Sequence, residues 1–95
     1  MSHNYFVYIT TNPSKTTLYT GVTNDLFTRM SQHRENKGNP ETFAGKYHCH
    51  KLVYYEQFSD INYAIEREKE IKDYSREKKE ALINSINPRW NRLVV

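Results

Sequence analysis

Five side chains in this 95-residue chain stand out for the chemistry they could share: Tyr8, Tyr19, Arg29, His33 and Glu68. Tyrosine and histidine side chains pass protons or orient water. An inward arginine suits a phosphate, because its guanidinium is always charged and offers forked donors. A carboxylate placed on an apolar face is costly unless it is paired, protonated or bound to a cation. Tyr19 follows Tyr8 by eleven residues, Arg29 comes ten residues later, and His33 lies about one helical turn further on.

Each residue also has an ordinary structural explanation. Glu68 lies about 20° around the helix from Ile61, in the stripe between Ile65 and Ile71. There it is either half of a buried ion pair, a rim residue, a metal ligand or a catalytic acid. Arg29 shares a face with Leu26 and His33 and binds either a phosphate or Glu68 itself. Tyr8 and Tyr19 are either core tyrosines or a pair of hydroxyls across one sheet face. Gly21, two residues beyond Tyr19, points to that face and would leave room for a ligand. Convergence distinguishes the set: every member is expected to face inward in one small basic domain.

The elements that must position them follow from the same sequence. Tyr5 to Ile9 and Thr17 to Val22 are aromatic and β-branched runs separated by Asn12-Pro13-Ser14, which reads as a hairpin. Asn24-Asp25 caps a helix with Leu26, Met30 and His33 facing inward, ended by Asn36 to Gly38 and Pro40. A long loop runs to about Tyr47, and Lys51 to Phe58 is a third strand. Ser59 is expected to cap a helix carrying Ile61, Ala64, Ile65 and Ile71. Ser75 starts another through Leu82, Ile83 and Ile86, which Pro88 stops. Trp90 is expected to anchor the tail. The order β-β-α-β-α-α predicts a single α+β domain over residues 1–95, a small three-stranded antiparallel sheet flanked by helices.

Composition bounds the partners. A net charge of +3 permits a polyanion without demanding one, while eight tyrosines against one tryptophan is unusual. The lone Cys49 forms no disulfide within the chain. No apolar run approaches the roughly 20 residues that span a bilayer, and no signal-peptide core opens the chain, so a cytoplasmic location without membrane partners is expected. His48-Cys49-His50 lacks a second ligand pair at zinc spacing. Three glycines supply no phosphate-binding loop, which argues against nucleotide hydrolysis. The Arg76 to Glu80 run reads as a solvated helix face.

Phe6-Val7-Tyr8 and Tyr19-Thr20-Gly21, followed by Arg29, His33 and Glu68 at these separations, resemble the GIY-YIG nuclease family. Pro88-Arg-Trp-Asn91 is similar to a segment of the excinuclease C nuclease domain. Within the family the chain looks most like short stand-alone bacterial members. The first triplet lacks its glycine, Thr20 replaces isoleucine, and Asn87 competes with Asn91 as the family asparagine. The resemblance implies hydrolysis of phosphodiester bonds in nucleic acid, most directly DNA, with Mg²⁺ or Mn²⁺ held by Glu68 and no organic cofactor. Tyr8 would be the general base, Tyr19 would orient water or phosphate, Arg29 would neutralise charge on the phosphoryl oxygens, and His33 would relay a proton or bind the phosphate. Gly21, Lys46, Lys72 and Asn91 are the candidate substrate contacts. A non-catalytic nucleic-acid-binding module that retains the fold is the alternative. A small interaction domain with its inward charges simply paired is a third reading.

Overall fold

Two β-branched and aromatic runs pair around a turn closed by Asn12, whose Oδ1 accepts from the backbone N–H groups of Thr16 and Thr17. The computed structural model describes residues 4–35 and 49–95. Strands β1 (Tyr5–Thr11), β2 (Leu18–Thr23) and β3 (Lys51–Phe58) form one antiparallel sheet in the order β2-β1-β3. Helix α1 (Leu26–Glu35) follows β2, and helices α2 (Ile61–Lys72) and α3 (Arg76–Asn84) follow β3. The expected α+β order therefore holds.

The alternation of β1 divides the molecule into layers. Val7 and Ile9 share a core with Ala64 and Ile71 of α2, Ile83 of α3, and Trp90. Tyr8 faces the other way, with Leu26 and Met30 of α1 and Leu52 of β3. Helix α1 thus covers one face of the sheet, and α2 and α3 cover the other. Each fully buried aliphatic side chain contributes about 1.5–3 kcal/mol to holding these layers together.

Local signals shift several details. Asp60, not Ser59, caps α2, its carboxylate accepting from Asn62 N at 2.7 Å. Within α2 the buried positions are Ala64 and Ile71, while Ile61 is 38% exposed because it stands at the first turn, beyond the sheet. Ile86, expected within the last helix, lies beyond its end at Asn84 and is exposed. A bulge between Ile9 and Thr10 where β1 meets β3 leaves Val53 as the extra residue and lets the adjacent Val53 and Tyr54 share one core. Trp90 is buried as expected, its Nε1 donating to Asn84 Oδ1 at 2.7 Å. Cys49 is fully buried, and burial pushes its thiol up to about 11.

Across the α2 face, Arg67 donates to both carboxylate oxygens of Glu56 and also reaches Glu70 and Tyr74. Tyr54 donates to the same Glu56. Burial alone would raise the Glu56 carboxyl, but hydrogen bonds from Arg67 and Tyr54 bring it below its usual range. This network fastens the β3 flank of α2 and so sets how the helix is rotated on the sheet.

Candidate active site

Tyr8 sits opposite Gly21 across the β1–β2 ladder, and Thr10 sits opposite Tyr19. The two tyrosines are therefore diagonal neighbours on the α1 face, not directly opposed, with ring centroids 6.2 Å apart. Tyr8 is fully buried, and its ring lies over Gly21: a Cβ built there would stand 2.4 Å from Tyr8 Oη. The space expected to admit a ligand at Gly21 is filled by Tyr8. Glycine is required because no side chain fits beneath the ring.

Asp25 fixes the start of α1 by accepting from Thr28 N at 3.1 Å and Thr28 Oγ1 at 2.7 Å. Leu26 and Met30 then face the core, which turns Arg29 across the sheet edge. Arg29 Nε donates to Tyr8 Oη at 3.1 Å, and Nη1 donates to Gln32 Oε1 at 3.2 Å. Tyr19 interacts with both Tyr8 and Arg29, closing a cluster of two phenols and one guanidinium. Gln32 is absent from the residues that spacing and chemistry single out. Its signal is the i,i+3 separation from Arg29, which places it beside that arginine on the helix surface.

This environment bears directly on the role expected for Tyr8. Burial pushes its hydroxyl up to about 12, outweighing the hydrogen bond from Arg29. A neutral phenol that accepts from Arg29 holds the guanidinium in place. Because the folded value lies above the unfolded value of about 10, stability contributed by this group is complete below about pH 10. It is lost as pH rises toward about 12. Urea midpoints at about pH 9 and about pH 11 are expected to diverge less in Tyr8→Phe than in wild type.

Glu68 lies in the other layer. On α2 it falls on the opposite flank of the sheet-facing stripe from Arg67, which reaches β3, so Glu68 leans toward the β2 side. Its side chain is 16% exposed, and its Oε2 stands 3.5 Å from Lys72 Nζ. The ion pair that the sequence left open is made with Lys72; among the described residues no ion pair joins Glu68 to Arg29. Lys72, a candidate substrate contact, is this partner, and its side chain is half exposed.

The donor set fits one kind of metal. Among the described residues no three His, Cys, Asp or Glu side chains gather into a cage. A single carboxylate whose ion pair among the described residues is one 3.5 Å contact to a lysine suits a hydrated Mg²⁺ that keeps several waters and takes further oxygens from a phosphate.

Of the remaining candidates, Thr20 turns to the α2 core opposite Ile9 and is 5% exposed, a position that an isoleucine would also fill. Asn87 is buried, donating to Val53 O at 3.0 Å and Asn91 O at 2.8 Å and accepting from Asn91 N at 3.1 Å. It ties the tail to β3, and leaves Asn91 as the asparagine with an exposed side chain. Thr10 Oγ1, beside Tyr19, is buried with no hydrogen-bond partner among the described residues. Lys46 and the His33 side chain lie outside the described residues. No helix among them is long and apolar enough to cross a membrane.

Known proteins are similar to this chain in sequence and fold. Residues 4–81 match the model of the GIY-YIG catalytic domain. A UPF0213 protein from Haloquadratum walsbyi is 39% identical over 82 residues, covering 86% of this chain and 89% of that protein. A UPF0213 protein from Staphylococcus aureus is 38% identical over 80 residues, covering 84% and 94%. The solution NMR structure of a UPF0213 protein from Bacillus halodurans superimposes with a TM-score of 0.57 at 31% identity, covering 94% of this chain and 92% of that one. The matched span contains both tyrosines, Gly21, Arg29 and Glu68, and the chain belongs to the GIY-YIG domain family, among its UPF0213 proteins.

Proposed function

We propose that this protein is a divalent-metal-dependent endonuclease that hydrolyses phosphodiester bonds in DNA. The observation that carries the reading is the Arg29 guanidinium, anchored on Tyr8 and next to Tyr19, in a GIY-YIG domain. Arg29 binds the scissile phosphate and neutralises charge developing on its oxygens, in a geometry already set before substrate arrives. Tyr8 stays protonated and holds Arg29. Tyr19, half-buried on the edge strand, donates to a phosphate oxygen or orients the attacking water. His33 takes the role of proton relay.

Glu68 approaches the same edge strand from the opposite layer, so a nucleic-acid strand lying along β2 meets Arg29 and Tyr19 on one side and the carboxylate on the other. A hydrated Mg²⁺ or Mn²⁺ held by Glu68 would supply positive charge for the scissile phosphate and the leaving 3′ oxygen. Lys72 then exchanges its carboxylate contact for the phosphate backbone, and Asn91 adds a polar contact.

The test is a cleavage panel of duplex, single-stranded, branched and damaged DNA, with RNA alongside, in Mg²⁺ and in Mn²⁺. Metal-stimulated cleavage of at least one DNA is expected. Salt-sensitive binding without any cleavage would instead identify a non-catalytic nucleic-acid-binding module.

A further inference from the structure

We infer that the groove where β2 runs into α1 is the subsite for the nucleotide next to the reacting phosphate, and that it favours guanine, the base with two adjacent N–H donors. The inference rests on the phosphodiesterase reading and adds a specificity to the same site. The groove encloses about 500 Å³, and Tyr5, Asn24, Asp25, Arg29, Gln32 and Ile61 are among the residues lining it. That volume is in the range of natural small-ligand sites.

Its charges give the groove a direction. Arg29 is the cation of the lining and stands where the groove meets the tyrosine cluster. A guanidinium has five N–H donors, so its bonds to Tyr8 and Gln32 leave donors for a phosphate. One helical turn away is Asp25, a fully exposed carboxylate fixed in place by Thr28. Those hydrogen bonds hold its acid below the usual carboxylate range, so it is anionic at neutral pH. A second phosphate is repelled there, and a nucleotide must enter with its phosphate on Arg29 and its base toward Asp25.

A carboxylate only accepts hydrogen bonds, and it has lone pairs beyond the two that Thr28 uses. It accepts from any base N–H, thymine N3–H included, but guanine alone offers an adjacent ring N–H and amino group that the two carboxylate oxygens can accept together. Asn24 and Gln32 bring side-chain amides to the same walls. Tyr5 and Ile61 give the base an apolar surface, which accounts for an isoleucine left 38% exposed at the first turn of α2. Gln32 also steadies the cation, because its carbonyl oxygen holds Arg29 from the solvent side while Tyr8 holds it from the core.

The experiment titrates ¹⁵N-labelled protein with the 5′-phosphates of the four deoxynucleosides and follows backbone and side-chain amide resonances. The Asn24 and Gln32 side-chain amides and the Thr28 backbone amide are expected to shift and saturate. Deoxyguanosine 5′-phosphate is expected to bind about three- to tenfold more tightly than the other three. Asp25→Asn keeps a good helix cap and is expected to level the four affinities. Equal affinity for all four in wild type, or shifts that avoid the groove, would overturn the inference. The titration needs no turnover, so the two readings fail separately. A selective groove in a protein that cuts nothing keeps the subsite and removes the enzyme; cleavage without a groove response removes only the subsite.

Discussion

Gly21→Ala is expected to lower stability by about 1–3 kcal/mol and cleavage by about 10²-fold. The new Cβ would lie 2.4 Å from Tyr8 Oη and 2.6 Å from Tyr8 Cζ, well inside van der Waals contact. A flexible surface side chain would swing aside. Tyr8 cannot, because it is 0% exposed and enclosed by Leu26, Met30 and Leu52. The ring must shift, and its hydroxyl is the acceptor for Arg29 Nε, so the displacement passes to the guanidinium. Urea midpoints and single-turnover rates measure the two effects. A variant with wild-type values for both would show that the Tyr8 ring has room that this structure denies it.

Arg29→Lys is expected to lower the cleavage rate by about 10²–10³-fold, the loss typical of removing a preorganised donor from a transition state. Charge is retained, yet an ammonium cannot keep the fork that reaches Tyr8 and Gln32 together. The substitution also leaves the buried Tyr8 hydroxyl without its arginine donor, at a cost of about 1–3 kcal/mol. Adding Tyr8→Phe should restore much of that stability and none of the rate. Such non-additivity is the signature of two side chains acting as a unit. A rate within about threefold of wild type would remove Arg29 from the reaction.

Much of the fold was legible because its local signals agree. β-branched runs, a polar hairpin loop, Asp25 as a cap and Leu26 and Met30 at helical spacing all pointed to the architecture observed. What escaped were properties set by contacts between elements. The Ile9–Thr10 bulge has no local residue signal, and the diagonal relation of Tyr8 to Tyr19 depends on a register that hairpin length only suggests. Ile61 kept perfect spacing yet stands beyond the sheet, because periodicity does not say where a helix meets its partner layer. Ser59 and Asp60 are both good caps, and one residue decided the start of α2.

The candidate site divides in the same way. Spacing brought Tyr8, Tyr19, Gly21 and Arg29 into one inward set, and the structure joins them. Sequence could not tell that Gly21 makes room for the Tyr8 ring, since that depends on the direction of one aromatic ring across the ladder. Nor could it tell that Glu68 pairs with Lys72, because the i,i+4 partner on its own helix competes with any arginine from another layer. The Tyr8 hydroxyl is raised by burial, a quantity that no spacing encodes.

The most direct test of the central claim is the rate of Mg²⁺-stimulated cleavage by Glu68→Ala on whichever DNA the wild-type protein cuts best. Glu68 is the carboxylate proposed to hold the cation, and its removal leaves the Arg29–Tyr8–Tyr19 cluster in the other layer untouched. Loss of metal-stimulated cleavage, with the fold and DNA binding retained, is the predicted result. Cleavage by Glu68→Ala at the wild-type rate would contradict the account.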